Sequence, residues 1–183
     1  ERRFEKVFDL IRPGDYLFLQ FAHNDQKLGA DTAPYEALLR SVVAETRERG
    51  GVPVLVTSMQ RRRFDSRGAV VNSLEGFPDA MRGVAKTEGA ALVDLEPVSR
   101  RFYEALGPEG SKRAFVHYAA DTFPGQASEL KDDTHFNDYG AYQLARAIVQ
   151  GIKSGGLGLA SHMAADAAPF DPARPDPPHT CSL

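Results

Sequence analysis

Tyr16-Leu17-Phe18-Leu19-Gln20-Phe21-Ala22-His23-Asn24-Asp25 is the stretch whose reading decides the fold: a short run rich in large apolar side chains passes without a break into Ala22 and three polar residues. A run of that length after the turn signal Pro13-Gly14 reads as a buried strand, here expected over 16–21. Ligands of parallel sheets collect beyond the carboxyl ends of the strands, so an amide at this point is placed to donate to a developing oxyanion. Asn24 is the candidate donor. It can equally cap the helix or turn that follows, as asparagine does at loop starts. His23 and Asp25 read as supporting residues.

Outward from this strand the hydrophobic period alternates between helix and strand. Residues 2–11 place Phe4, Val7, Phe8 and Ile11 on one helical face. Residues 34–49 open with Pro34, put Leu38, Leu39, Val42 and Val43 on one face and stop at Gly50-Gly51. A strand over 53–57 follows, then a polar loop over roughly 60–76, a helix over 78–88, a strand over 90–95 and a helix over 97–106. Residues 107–134 have no strong period and read as a long surface loop. A last helix starts after Asn137 or Asp138, either of which can cap it. Its apolar face is read as Ala141, Leu144, Ala145, Ile148, Val149 and Ile152, and it ends at Gly155-Gly156. The alternation is that of an α/β domain with a mainly parallel sheet, expected over residues 1–160. A proline-rich tail over 161–183 is expected to be extended or weakly ordered, and to lie along the domain if Phe170 anchors it.

The composition excludes several classes of function. The chain has 183 residues, of which 42% are hydrophobic and 26% charged, the balance of an ordinary globular domain. A net charge of −3 leaves no footprint for nucleic acid, the one basic cluster being Arg61-Arg62-Arg63. That triplet is a solvated face or a clamp for an acidic polysaccharide, since the guanidinium fork of Arg61 or Arg62 matches a uronate carboxylate. Cys181 is the single cysteine, so neither an intramolecular disulfide nor a cysteine-rich metal site can form. No apolar run is long enough to span a bilayer.

Chemistry concentrates in Lys131-Asp132-Asp133-Thr134-His135-Phe136-Asn137-Asp138-Tyr139-Gly140-Ala141. An imidazole serves as general base only when its tautomer and orientation are fixed, which a carboxylate on one ring nitrogen accomplishes. Asp132, three residues before His135, is the first choice for that carboxylate and Asp133 the second. A metal site built from Asp132, Asp133 and His135 lacks further clustered ligands. Phe64, Phe77, Phe123 and Tyr139 are either core residues or the lining of a sugar site. His117, His162 and His179 sit in no motif and read as structural.

Together the two polar segments resemble the SGNH (GDSL-type) hydrolase superfamily. Its third block, Gly-x-Asn-Asp after a strand, stands here as Ala22-His23-Asn24-Asp25, and its fifth, Asp-x-x-His, as Asp132-Asp133-Thr134-His135. Within the superfamily, residues 20–27, 56–62 and 134–141 are similar to the rhamnogalacturonan acetylesterase branch. The resemblance implies a three-layer α/β/α, flavodoxin-like fold, a carboxylic ester hydrolase that removes acetyl groups from pectic or related polysaccharide by serine acyl transfer, no cofactor and no metal. It implies His135 as base, Asp132 as its orienter, Asn24 in the oxyanion hole, no nucleic-acid or membrane partner, and a secreted or periplasmic location. Two departures are visible: Ala22 replaces the usual glycine, and the family's Gly-Asp-Ser nucleophile motif occurs nowhere in the chain. The expectation is therefore of a domain incomplete at its amino terminus, inactive alone, with the missing segment as its partner. The rival expectation is a non-catalytic carbohydrate-binding or interaction module that kept the fold without the nucleophile.

Overall fold

The structure, a computed structural model, describes residues 3–164 and 167–178. His179 and Cys181 lie outside the described residues. The chain divides into two compact units, one formed by Glu1–Ser58 with Leu74–Asp94 and the other by Met59–Ser73 with Leu95–Leu183.

The first unit is α/β. Helix α1 (Arg3–Phe8), strand β1 (Tyr16–Leu19), helices α2 (His23–Lys27) and α3 (Thr32–Glu48), strand β2 (Val52–Val56), helix α4 (Phe77–Glu88) and strand β3 (Ala91–Val93) follow one another in the sequence. The strands form a parallel sheet in the order β1-β2-β3, with Phe18 opposite Val54 and Leu55 opposite Leu92. In the central strand Val54, Leu55 and Val56 are buried, whichever face they point to, as expected of a parallel sheet. Pro53 is tolerated there because β3 begins to pair only at Val54, so the missing N–H leaves no gap on that side. Leu19, Leu39, Val42, Val43, Leu55, Phe77, Met81 and Val84 make the core, each stabilising the unit by about 1.5–3 kcal/mol through burial. Phe4 and Phe8 of α1 pack against it, while Leu38, expected on the buried face of α3, is exposed. Helix α3 starts two residues ahead of Pro34, which sits in the first turn where an N–H has no intrahelical partner.

The second unit contains helix α5 (Leu95–Gly110), a 3-10 turn (Ser111–Ala114), strands β4 (Phe115–Tyr118) and β5 (Leu130–Phe136), helix α6 (Asp138–Ser154) and a second 3-10 turn (Gly158–His162). The surface loop expected over 107–134 is corrected here: β4 and β5 form an antiparallel hairpin. Gly107, at φ 72°, breaks α5, and Pro108 begins the next turn. The hairpin connection is itself organised by Gln126, whose amide donates to the carbonyls of Ala119 and Ser128, both at 2.8 Å.

An aromatic core holds this unit together. Phe115 meets Phe136 and Tyr103 with ring centres 4.7 and 5.2 Å apart, and Phe102, Tyr139, Val70 and Ala114 complete it. Phe64 packs against this cluster and Phe77 belongs to the other core, so among the four aromatic residues weighed above only Phe123 is exposed. Asn137 is the cap of α6, its side-chain oxygen accepting from the Gly140 N–H at 3.1 Å. The buried face of α6 is rotated from the expected one: Ala141 and Ala145 are exposed, whereas Gln143 and Ala147 are buried. The described part of the tail lies along α6. Tyr139 donates to the Asp176 carbonyl at 2.7 Å, Arg146 pairs with the Asp176 carboxylate, and the Arg146 guanidinium sits 5.5 Å from the centre of the Phe170 ring.

Candidate active site

In the first unit, β1 stops at Leu19, two residues short of the expected end, because side chains take over from the ladder. Gln20 donates to the Ser58 hydroxyl at 2.7 Å, and that hydroxyl donates to the Phe21 carbonyl at 2.6 Å. Tyr35 donates to the same carbonyl at 3.2 Å, and its own hydroxyl pKa is raised by burial and by the charge of Asp25. The chain then turns sharply at Ala22, which is buried at φ 139°, ψ −27°. That is backbone territory glycine enters freely and an L side chain enters under strain. Asn24 follows in the first turn of α2, exposed, and its side chain has no hydrogen-bond partner among the described residues. Its amide is thus presented to solvent on a turn fixed by Ser58 and Tyr35.

In the second unit, β5 pairs regularly from Leu130 to Asp132, opposite Tyr118 to Val116. The next pair is Phe115 with Phe136. Residues 133–135 therefore bulge out of the ladder. Asp132 organises the bulge: Oδ1 accepts from the N–H of Thr134 at 2.7 Å and of His135 at 2.9 Å, and Oδ2 lies 2.6 Å from Nδ1 of His135. The Asp132 carboxyl feels partial burial, which raises its pKa, but the His135 ring and the two N–H donors outweigh it and hold the pKa below the ordinary 3.8. With Asp132 ionised, Nδ1 carries the proton and Nε2 is left as acceptor. The His135 ring is 76% exposed, and Nε2 has no partner among the described residues.

Asp133 faces other partners. Its Oδ1 accepts from Arg62 Nε at 2.6 Å and lies 2.7 Å from Nε2 of His117. Arg62 also donates from NH1 to the Pro108 carbonyl at 2.7 Å, and Arg61 donates from NH1 to the Ser73 carbonyl at 2.8 Å. The structure thus brings His135 to Asp132 and Arg62 to Asp133, while Asn24 belongs to the other unit. The pairing of His117 with Asp133 was missed by sequence reasoning. Its only signal is the hairpin register, which sets His117 opposite Lys131, two residues before Asp133. Among the described residues no group of three or more His, Cys, Asp or Glu side chains could hold a metal ion.

In the second unit an imidazole oriented by a carboxylate with a bare Nε2 is the arrangement of a general base, and in the first unit the amide of Asn24 beyond the carboxyl end of β1 is a donor open to solvent. Residues 1–143 match the GDSL-like Lipase/Acylhydrolase family, and the chain belongs to that family of carboxylic ester hydrolases. It is 41% identical over 166 residues to rhamnogalacturonan acetylesterase RhgT of Bacillus subtilis, an alignment covering 89% of this chain and 71% of that protein. It is 31% identical over 165 residues to the probable rhamnogalacturonan acetylesterase YesY of the same organism, covering 87% and 71%. Among solved structures, protein YxiM of Bacillus subtilis superposes with a TM-score of 0.70 at 26% identity, covering 85% of this chain and 41% of that one.

Proposed function

We propose that the chain supplies the acid-base pair and one oxyanion donor of a carbohydrate O-acetylesterase acting on acetylated pectic or related polysaccharide. The observation that carries this reading is the 2.6 Å contact between Asp132 Oδ2 and His135 Nδ1, which leaves Nε2 exposed and unpartnered. The names of the 41% and 31% identical relatives support the substrate class. No Gly-Asp-Ser occurs in these 183 residues, and we assign the attacking serine to a segment outside them.

In the mechanism, the serine hydroxyl adds to the acetyl carbonyl as His135 Nε2 takes its proton, and Asp132 stabilises the imidazolium through Nδ1–H. The amide of Asn24 donates to the oxyanion. Collapse of the tetrahedral intermediate expels the sugar oxygen, which leaves with the proton held on Nε2. Water, deprotonated by the same nitrogen, then cleaves the acetyl-serine to acetate and regenerates the hydroxyl. Arg61 is a proposed contact for uronate carboxylates, whereas Arg62, expected beside it in that role, has its guanidinium engaged by Asp133 and the Pro108 carbonyl. A polymeric substrate that does not cross membranes fits a secreted or periplasmic protein.

Acetate release from acetylated rhamnogalacturonan tests this directly, measured for the chain alone and for the chain joined at its amino terminus to a segment bearing the Gly-Asp-Ser motif that the resemblance implies. The joined protein is expected to release acetate, and His135→Ala to abolish the release without unfolding it. No acetate from a folded joined protein, with polysaccharide binding retained, would establish the non-catalytic module instead. Hydrolysis by the chain alone would overturn the external serine.

A further inference from the structure

The His135 ring makes no packing contact deep enough to hold it, being 76% exposed, so its position depends on the backbone of the bulge that carries it. A bulge of three residues without ladder partners is not self-supporting, and from one side it is held by the Asp132 carboxylate. Its other side is held at Asp133 by two residues from distant parts of the sequence. The backbone N–H of Arg62 donates to the Asp133 carbonyl at 2.8 Å. The Arg62 guanidinium then grips the same residue's Oδ1 at 2.6 Å, and its NH1 is pinned to the Pro108 carbonyl at the Gly107 break in α5. His117, on the neighbouring strand β4, closes on that Oδ1 at 2.7 Å. Arg62 and His117 are 12% and 15% exposed, far less than the residue they hold. Arg62 thus ties the bulge to the 59–73 segment and to α5, and His117 ties it to β4.

We infer that Arg62 and His117 are positioning residues for His135: by clamping Asp133 they fix the backbone from which the imidazole meets Asp132. The assignment rests on the reading of His135 as the base. The groove of about 460 Å³ that these residues line together with Lys112, Glu129 and Lys131 is less suited to an anionic ligand. Its cations are already matched, Lys112 by Glu109 and Lys131 by Glu129, both at 2.7 Å, and Arg62 by Asp133.

Nuclear magnetic resonance of the 183-residue chain labelled at histidine nitrogens reads the clamp without any activity. The wild-type His135 ring is expected as the Nδ1–H tautomer, with slow exchange of the Thr134 and His135 amides. Arg62→Ala and Asp133→Ala are expected to mix the tautomers and to speed exchange of those two amides about tenfold or more, which corresponds to loss of a hydrogen bond of about 1.4 kcal/mol. His117→Gln and Asp133→Asn keep a donor and an acceptor at the same places and are expected to retain most of the wild-type signature. In the joined protein, Arg62→Ala is expected to lower kcat on 4-nitrophenyl acetate about tenfold or more while KM stays within about twofold, as for a misplaced base. An unchanged His135 signature in folded Arg62→Ala, or equal losses in Asp133→Asn and Asp133→Ala, overturns the clamp. Hydrolysis that survives His135→Ala overturns instead the reading of His135 as base, and leaves the resonance result to judge the clamp by itself.

Discussion

Gly140 offers a test of how α6 is seated, because at this position the helix lies too close to the segment before β4 for any side chain. A Cβ built there would stand 2.0 Å from the Ala114 carbonyl oxygen and 2.9 Å from the Phe136 ring. Neither neighbour can rotate away cheaply. Ala114 is buried, its oxygen accepts from the Asn137 N–H at 3.3 Å, and the Asn137 amide is bonded to the Arg113 and Phe115 carbonyls at 2.8 and 3.0 Å. Relief of the clash therefore requires the first turn of α6 to move by more than about 1 Å and to give up part of that cap. Overpacking of this kind costs about 1–3 kcal/mol, and a backbone obstacle puts Gly140→Ala at the upper end, partly offset by up to about 1 kcal/mol of helix propensity.

The expected net loss is about 2–3 kcal/mol, or a fall of about 5–10 °C in Tm for a chain of this size. Gly83→Ala is the control: that glycine is exposed in α4, and a Cβ there meets nothing within 4 Å. It is expected to stabilise by about 0.5–1 kcal/mol. The chain has no tryptophan, so calorimetry or far-ultraviolet circular dichroism is the suitable probe. Gly140→Ala as stable as the wild type, or a shift of the same sign in both variants, would refute the seating of α6 on Ala114.

Asp132→Asn is expected to lower kcat of the joined protein by about 10³-fold or more by releasing the tautomer, and Asp133→Asn by much less; the reverse order in acetate-release kinetics would move the orienting role to Asp133. Asn24→Ala should lower kcat by about 10²-fold with KM nearly constant, and a pure KM effect would make Asn24 a binding residue. Because the folded-state pKa of Asp132 is depressed, its contribution to stability is complete above 3.8 and is lost as the pH falls through the lowered value. The stability gap between wild type and Asp132→Asn, followed by urea unfolding, should thus be constant near neutrality and close below 3.8. Arg61→Ala is expected to weaken binding of acidic pectin while sparing small neutral esters, whereas Arg62→Ala should slow both; equal losses on both substrates in Arg61→Ala would remove it as a uronate contact.

The elements of the first unit are legible because their burial follows period: Leu39, Val42 and Val43 on α3 and the run Val54-Leu55-Val56 on β2 lie where repeat and length place them. The second unit is less legible. Strand β5 reads Leu-Lys-Asp-Asp-Thr-His-Phe, a sequence of low strand propensity that is extended only because β4 and the side-chain bonds of Asp132 and Asp133 hold it. Helix α2 is five residues long, too short to show a period. On α6 the buried Gln143 defeats a reading based on apolar side chains, since it is covered by the tail, where the Asp176 N–H reaches its side-chain oxygen at 3.4 Å. The pairing of Asp132 with His135 was legible from spacing alone, but the form of that spacing, a strand bulge and not a loop, was not.

Both chemistry-bearing segments are places where regular structure is broken and then held. After β1 the break is the positive φ of Ala22; after residue 132 it is the bulge. A regular strand would point residues 132 and 135 to opposite faces of the sheet, so a side-chain bond between them at three-residue spacing requires such a break. Each break in turn needs partners from elsewhere: Ser58 and Tyr35 bond the carbonyl before Ala22, while Arg62, His117 and Asn137 hold the backbone around His135. None of these five belongs to the proposed proton relay or oxyanion hole. The proposed reactive groups, Asn24 and His135, are exposed and contribute little packing, so their substitution should alter chemistry more than stability, and substitution of the holding residues should alter both.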